Sequence, residues 1–154
     1  MPGTAAAQPK DRWRWTVRFD DPYNVYVDHA NEFLYIADGS GHRVRRVELS
    51  TNIVRTFAGT GSPSGAIGDG FAATSAELNQ PVGISGDSVG MIYISEELGC
   101  RVRVVDTSTG IITTVVGDAL STDCSSSGDG FASTSARVNA PAGLAVNSVG
   151  DLFI

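Results

Sequence analysis

The sequence predicts an all-β fold built from repeated four-stranded antiparallel sheets. The first observation is an internal repeat, since GDGFAATSAELNQP at residues 68–81 returns as GDGFASTSARVNAP at residues 128–141. Repetition at a fixed period marks a structural unit that stacks on copies of itself. The second observation is that 18 glycines separate short apolar stretches, and no long segment shows the 3.6-residue period of a helix.

Three prolines define the units of the repeat. Pro22 and Pro81 are 59 residues apart, and Pro81 and Pro141 are 60 residues apart. The resulting organisation is a disordered leader at 1–11, a lead-in strand at 12–21, a first unit at 22–80, a second unit at 81–140 and part of a third unit at 141–154.

Each unit contains four short apolar stretches joined by turn residues. In the second unit these predicted strands are Val82–Ser85, Met91–Ser95, Arg101–Asp106 and Ile111–Val116. The intervening GDSVG, EELG and TSTG segments supply glycines for positive φ angles, and Ser, Thr or Asp to bond a turn. Strands joined by such short turns form a meander of hairpins. The stretches at 73–79 and 133–139 each predict one short helical turn before a proline.

The lead-in segment Arg12–Phe19 reads RWRWTVRF and alternates strictly between basic or polar and apolar residues. One interpretation is a basic and aromatic nucleic-acid patch. The other is a half-buried outer strand whose arginines face water. The formal net charge of −6 favours the outer strand and argues against a broad nucleic-acid surface.

A four-stranded meander repeated at a fixed period is a blade of a β-propeller. The residues Tyr93-Ile94, Arg101–Asp106 and Thr109–Gly117, with their counterparts in the first unit, resemble the NHL repeat. The resemblance covers about residues 22–154 and implies an incomplete NHL-type propeller. Because such propellers have about six blades, we expect either a piece of a longer protein or an assembly of several chains. The stop at Ile154 within the pattern favours the longer protein.

Strand order in such blades determines which loops share a face. The turns between second and third strands and the connections between blades emerge on one side, where long loops favour recognition. The candidate recognition residues on that face are Asp38, His42, Arg43, Asp69, Arg101 and Asp129.

The repeated GDG stretch has three interpretations. Calcium would need more oxygen ligands than the single Asp69 or Asp129, and a phosphate cradle would need a following GK[ST] and a long helix. The favoured interpretation is a shaped loop in which these aspartates cap backbone N–H groups while Phe71 and Phe131 pack down. The sequence therefore predicts no metal and no cofactor.

The repeated arginines favour structural bracing over a groove for an acidic ligand. On the third strand of each unit they would bond neighbouring backbone or the acids at the end of the second strand; these residues are Arg43, Arg45, Arg101, Arg103, Asp38 and Glu96. Neither His29 nor His42 has a second metal-binding residue type beside it, which disfavours a metal or catalytic role. The sequence leaves open whether Cys100 and Cys124 form a disulfide.

The leading functional hypothesis is a non-enzymatic binding or scaffold module with a protein partner; nucleic acid is not favoured. The alternative is a piece of a propeller enzyme, of the metal-dependent lactonase or esterase type or the lyase type, with its site at the central channel. Asp28, Asp87 and Asn147 would then be candidates, although their recurrence favours turn capping. No segment resembles a signal peptide or a transmembrane helix, and the compartment, the ligand and the oligomeric state stay open.

Overall fold

The computed structural model describes residues 17–63, 67–118 and 123–154. Within these residues the chain forms ten strands. They are β1 (Pro22–Val27), β2 (Phe33–Asp38), β3 (Arg43–Glu48), β4 (Ile53–Ala58), β5 (Pro81–Gly86), β6 (Met91–Glu96), β7 (Arg101–Asp106), β8 (Ile111–Val116), β9 (Ala145–Val146) and β10 (Leu152–Phe153).

The strands form two four-stranded antiparallel meanders, β1-β2-β3-β4 and β5-β6-β7-β8, and a pair, β9-β10. The predicted all-β fold of four-stranded antiparallel sheets is therefore confirmed. The two predicted helical turns are single 3-10 turns at Ala73–Ser75 and Ser133–Ser135.

The predicted lead-in strand lies largely outside the described residues, as does the whole predicted leader. Its described end, Val17–Phe19, is not in a strand. Shortly after it, the Asp20 N–H donates to the side chain of Asp38, at 2.6 Å. The Asp20 N–H is therefore bonded to a side chain and not to the backbone of a neighbouring strand. The predicted strand is wrong for residues 17–21.

The turns between first and second strands are closed by one polar side chain each. A side-chain oxygen of Asp28, Asp87 and Asn147 accepts two backbone N–H groups of its own turn, at 2.8 to 3.0 Å. These side chains satisfy donors that the strand ladder leaves unpaired, as short Asx turns do. The capping role predicted from their recurrence is confirmed.

The main core lies between the two four-stranded sheets, and the connection between β4 and β5 fills part of it. The buried residues of the core come from the first sheet (Tyr35, Ala37, Val44, Ala58), the connection (Ala73, Ala76, Leu78) and the second sheet (Ile84, Ile92, Ile94, Val105, Ile112). The sheets and the connection therefore bury one continuous apolar surface, which is the main stabilising contribution in such stacked units.

The connection is hydrogen-bonded to both sheets. The N–H groups of Gly59 and Thr60, just after β4, donate to the carbonyl oxygens of Ala73 and Ala76, both at 3.0 Å. The Ala73 N–H donates to the carbonyl oxygen of Gly110, at 2.8 Å, in the turn before β8. Residues 70–73 therefore run beside the outer edge of the second sheet.

The packing predicted for Phe71 and Phe131 is wrong. Their side chains are 69% and 77% exposed. Beside β8, the backbone of Phe71 accepts the N–H of Ile112, and Ala72 forms a bridge with Ile111. In an extended segment successive side chains point to opposite sides, so this pairing turns Phe71 outward while alanines fill the core.

The third unit docks on the second sheet through a glycine and a serine. Ser95 Oγ accepts the N–H of Gly83 at 2.7 Å and donates to the carbonyl oxygen of Ala142 at 2.8 Å. A Cβ added to Gly83 would overlap this carbonyl oxygen and would lie 2.6 Å from Ser95 Oγ. Glycine at this point is what lets the third unit approach.

We expect Gly83→Ala to destabilise the protein by about 1–3 kcal/mol, because the methyl group would overlap the backbone carbonyl oxygen of Ala142 and displace the third unit from the second sheet. Urea unfolding followed by far-ultraviolet circular dichroism measures the change in the free energy of unfolding. The matched control is Gly143→Ala at the equivalent place in the next unit, where an added Cβ meets no atom of the described residues within 4 Å. Equal stability of the two variants would contradict the docking role of Gly83.

Candidate functional site

The most buried polar cluster of the second sheet surrounds Arg103, whose side chain is fully buried. Its Nη1 donates to Glu96 Oε1 at 3.1 Å, and its Nη2 donates to Asp69 Oδ1 at 2.5 Å and to the carbonyl oxygen of Ile67 at 3.0 Å. The other oxygen of Asp69 accepts the N–H of Thr114 at 3.0 Å. Two carboxylates therefore face one guanidinium.

The GDG sequence gives Asp69 this position. Gly68 and Gly70 have φ angles of 72° and 80°, a region that favours glycine. A Cβ on Gly68 would lie 2.9 Å from Ala76 Cα, so the first glycine also permits close packing within the connection. The aspartate between them is thus held over β7 and β8, where it reaches Arg103.

Three of the predicted recognition residues brace the turns between second and third strands. Asp38 is buried and stands opposite Arg43 in the β2–β3 ladder, and Arg43 donates to the carbonyl oxygen of Thr60 at 2.7 Å. In the second sheet, Arg101 Nε lies 3.5 Å from Glu96 Oε2. The bonds to backbone and to the acid at the end of the second strand are those expected of bracing residues.

His42 belongs to a polar cluster that we call the loop network. His42 has a φ angle of 50°, and its Nδ1 accepts the N–H of Gln80 at 3.2 Å. Gln80 Nε2 donates to Glu97 Oε2 at 3.1 Å and to the Tyr23 hydroxyl at 3.3 Å. That hydroxyl donates to Asp21 at 3.0 Å. The loop network consists of Asp21, Tyr23, His42, Gln80 and Glu97.

Sequence reasoning missed Tyr23, Gln80 and Glu97. The available signal was their position: Tyr23 follows the proline that begins the first unit, and Gln80 precedes the proline that begins the second. Both residues lie at the ends of the first unit, and the fold brings these two ends together at this surface. The hydrogen bond from Tyr23 to the Asp21 carboxylate raises the pKa of the phenol, so it stays protonated and remains a donor.

The surface at the loop network exposes an aromatic side chain of the network itself and a neighbouring apolar side chain. Tyr23 is 47% exposed and Leu98, in the β6–β7 turn, is 58% exposed. Asn79 Nδ2 donates to the carbonyl oxygen of Leu98 at 3.1 Å and holds this turn against the end of the connection. The surface combines polar groups in defined positions with an exposed apolar side chain.

The six predicted recognition residues do not form one cluster. Asp69 is held by Arg103 and Thr114 beside the second sheet. Asp129 lies on the second connection and lines a cavity of about 650 Å³ together with Ile154. Only His42 takes part in the loop network.

Cys100 and Cys124 form a disulfide, with their Cα atoms 5.3 Å apart. The bond fastens the second connection to the β6–β7 turn next to Glu97, whose carbonyl oxygen contacts Cys100 Sγ at 3.6 Å. Among the residues that the structure describes, no three His, Cys, Asp or Glu side chains are grouped as a metal site. No described helix is long and apolar enough to cross a membrane.

Stacked four-stranded meanders, joined by a connection that packs between them, define blades of an NHL-type β-propeller. The sequence profile of the family described as "Teneurin NHL domain" matches residues 16–123. The chain belongs to this family, and the predicted membership of the NHL-repeat proteins is confirmed.

The chain also resembles individual proteins at the sequence level. The chain is 34% identical to teneurin-1 of Gallus gallus over 139 residues, which is 81% of this chain and 5% of that protein. It is 31% identical to NHL repeat-containing protein 2 of Bos taurus over 93 residues, which is 60% of this chain and 12% of that protein. The chain therefore spans a small part of the length of these relatives.

Solved structures share the fold. A protein of unknown function from Bacteroides thetaiotaomicron superposes with a TM-score of 0.70 at 22% identity, over 85% of this chain and 31% of that one. An auxiliary nutrient binding protein from Bacteroides ovatus gives a TM-score of 0.59 at 17% identity, over 82% of this chain and 32% of that one. At these identities the likeness concerns the fold alone.

We expect Arg103→Met to destabilise the protein by about 3–5 kcal/mol, because Glu96 would be left as a buried charge without its partner. The additional change Glu96→Gln in the same chain should recover part of this loss. Chemical denaturation measures both.

The control for this series is Arg137→Met, which removes an exposed ion pair with Asp123. Surface pairs contribute about 1 kcal/mol or less, so this variant should unfold close to the wild type. The buried role of Arg103 would be refuted by a loss no larger than that of Arg137→Met.

Proposed function

We propose that the chain is a binding module of a β-propeller and that its partner is a protein. The partner docks on the surface formed by the loop network and Leu98. The observation that carries this proposal is the loop network itself, in which Gln80 joins His42 and Tyr23 of the first sheet to Glu97 of the second. These hydrogen bonds fix the positions of the side chains before a partner binds, which lowers the conformational entropy lost on binding.

The chemistry of this surface suits a protein ligand. Protein interfaces combine exposed aromatic and apolar groups at the centre with polar groups that supply hydrogen bonds around them. Tyr23 and Leu98 supply the first kind and Gln80 the second. Asp21 and Glu97 add negative charge, which favours a partner with basic or amide groups and disfavours a phosphate backbone.

The inner turns support binding over enzyme chemistry. The side-chain oxygens of Asp28, Asp87 and Asn147 were the candidates for a central site, and in each residue one oxygen is already engaged by two backbone N–H groups. Hydrogen bonds of this kind hold the side chain in its own turn, as a structural cap does. The proposal therefore assigns these residues to the scaffold.

The disulfide suggests where the module works. Bonds such as Cys100–Cys124 persist in oxidising environments, including the secretory pathway and the cell surface. We place the binding event in such a compartment.

We expect Leu98→Arg to reduce retention of the partner protein at least about tenfold, because the new charge is desolvated at the centre of the contact. The measurement is quantitative mass spectrometry of surface proteins retained by the immobilised full chain. The matched control is Val89→Arg, at a residue that is 80% exposed in the turn between β5 and β6, at the opposite end of the sheet.

Two results would count against the proposal. One is a set of retained proteins that responds equally to both variants, since the loop surface would then have no special role. The other is calorimetric binding of Ca²⁺ or Zn²⁺ below micromolar concentration by the unmodified chain, because that affinity requires a built metal site. Such a site would support the propeller-enzyme alternative.

A further inference from the structure

Arg46 and Arg55 stand directly opposite each other on neighbouring strands of the first sheet, in the β3–β4 ladder. Like charges at such positions repel each other and destabilise a sheet. Among the residues that the structure describes, the ion pairs are formed by other arginines, so no carboxylate compensates either charge. The first sheet therefore carries two uncompensated guanidinium groups on one face.

The fold does not require these two charges. At the equivalent positions of the second sheet, Val104 and Thr113 stand opposite each other. The two ladders have the same register, with the same irregularity one residue before Arg45 in the first sheet and one residue before Arg103 in the second. A pair that costs stability and is absent from the other unit calls for a separate explanation.

The arginine pair lies on the face of the first sheet that is turned toward the second sheet. Tyr35 stands opposite Arg46 on β2 and belongs to the core between the sheets. Beside this core, Arg46 contributes to the walls of two neighbouring cavities. The first cavity has a volume of about 250 Å³ and is lined by Phe33, Arg46, Glu48, Ile53 and Arg55.

The second cavity has a volume of about 260 Å³ and reaches the second sheet. Its walls include Phe57 of β4, Thr74 of the connection, and Thr107 and Thr109 of the turn after β7. Among its described lining residues, Arg46 is the only charged one. We call the two cavities together the arginine groove.

The walls of the arginine groove belong to the two four-stranded sheets and to the connection between them. All four strands of each sheet are described. The groove lies at the end of the sheets opposite to the loop network, because β3 begins next to His42 and ends at Glu48. It is therefore a separate site.

Aromatic rings hold the guanidinium of Arg46 in place. Its central carbon lies 4.3 Å from the ring centroid of Phe33 and 5.8 Å from that of Phe57. The ring of Phe57 in turn meets Tyr35 edge-on, with the centroids 4.8 Å apart. Such contacts attract a cation without neutralising it, since a ring carries no net charge. Arg46 is thus oriented in advance, and its charge stays available to a ligand.

Glu48 limits the positive charge of the arginine groove. Its Oε2 accepts a hydrogen bond from the Thr51 hydroxyl at 2.5 Å, and it forms an ion pair with neither Arg46 nor Arg55. With two arginines and one glutamate, the lining keeps a single net positive charge. This charge occurs in a chain whose formal net charge is −6.

We propose that the arginine groove binds a saccharide that carries a sulfate or phosphate ester. The ester lies between Arg46 and Arg55, whose planar guanidinium groups match the geometry of an oxyanion. The rest of the saccharide occupies the cavity that reaches the turn after β7. The inference does not depend on the function proposed above.

The lining of the groove selects this class of ligand. A tetrahedral ester presents several oxygens at once, so it bridges two guanidinium groups and removes their repulsion. Thr74 and Thr107 are exposed, and their hydroxyl groups both donate and accept hydrogen bonds, as saccharide hydroxyls do. Sites for drug-sized molecules measure about 300–1,000 Å³, so cavities of about 250 and 260 Å³ suit a small ligand. One net positive charge is too little for a nucleic-acid backbone.

The test is isothermal titration calorimetry of the full chain with glucose 6-sulfate and with glucose 6-phosphate at low salt. At least one ester should bind saturably, and the tighter of the two identifies the source of the oxyanion. Glucose should bind at least about tenfold more weakly, because it lacks the charge-assisted hydrogen bonds. Inorganic sulfate and phosphate should also bind more weakly than the esters, because they leave the second cavity empty.

The second unit supplies the matched variants. Arg46→Val and Arg55→Thr introduce the residues that stand at these positions in the second sheet, so both should fold. Each should weaken the affinity for the ester at least about tenfold. The control is Arg18→Met, which removes an exposed positive charge outside the groove and should change the affinity by less than about twofold.

Two further measurements separate binding from a structural role. Glu48→Gln should strengthen ester binding by about threefold, because a negative charge leaves the groove. Without ligand, the urea midpoint of Arg55→Thr should equal or exceed that of the unmodified chain, because the repulsion between the arginines is relieved. The ester should raise the midpoint of the unmodified chain and not that of Arg55→Thr.

Four outcomes would overturn the proposal. They are no heat of binding from either ester at millimolar concentration, equal affinity for glucose and the esters, equal affinity for inorganic ions and the esters, and losses from Arg46→Val and Arg55→Thr no larger than that from Arg18→Met. A lower urea midpoint of Arg55→Thr together with unchanged ester affinity would assign the arginine pair to the scaffold instead.

Discussion

The ion cluster of Arg103 is the constraint on which the second sheet depends. A guanidinium without solvent contact costs several kcal/mol unless carboxylates and carbonyl oxygens surround it. Glu96 comes from the neighbouring strand, whereas Asp69 arrives from a connection 34 residues earlier in the chain. The connection therefore supplies part of the environment that the buried guanidinium needs, which couples strand pairing within the second sheet to the packing between the two sheets.

The second sheet depends on the connection that precedes it in the chain. The GDG connection at residues 68–70 leaves the first sheet and brings Asp69 to the second, so these two sheets interact as nearest neighbours in a solenoid-like array. Arg45, at the matching place in the first sheet, has different partners. Its Nη1 donates to Thr56 Oγ1 at 3.0 Å, whereas the Arg103 guanidinium donates to two carboxylates and a carbonyl oxygen. The partners of the repeated arginine therefore differ between the two sheets.

The strands could be predicted from the local sequence. The orientations and partners of several side chains could not, because they depend on residues distant in the chain. The strands of the second unit follow from turn residues and a fixed period, and the observed bounds of β7 and β8 equal the predicted ones. The orientation of Phe71 depends on pairing with β8, which the sequence of the connection does not encode by itself. The partners of Asp69 and His42 depend in the same way on contacts 34 to 45 and 38 residues distant.

Comparison of the two units separates residues that recur in both units from residues that occur in one of them. Asp69 and Asp129 recur at the same place in the two connections, as Arg45 and Arg103 recur at the same place on the third strands. The loop network follows the second pattern: at the positions equivalent to Tyr23, His42, Gln80 and Glu97 the other unit has valine, cysteine, alanine and glycine. Within the described residues, the two units share one backbone plan, and the loop network lies where the first unit meets the second. Uniqueness of this kind is what a specific partner requires, because discrimination depends on contacts that a neighbouring blade does not offer.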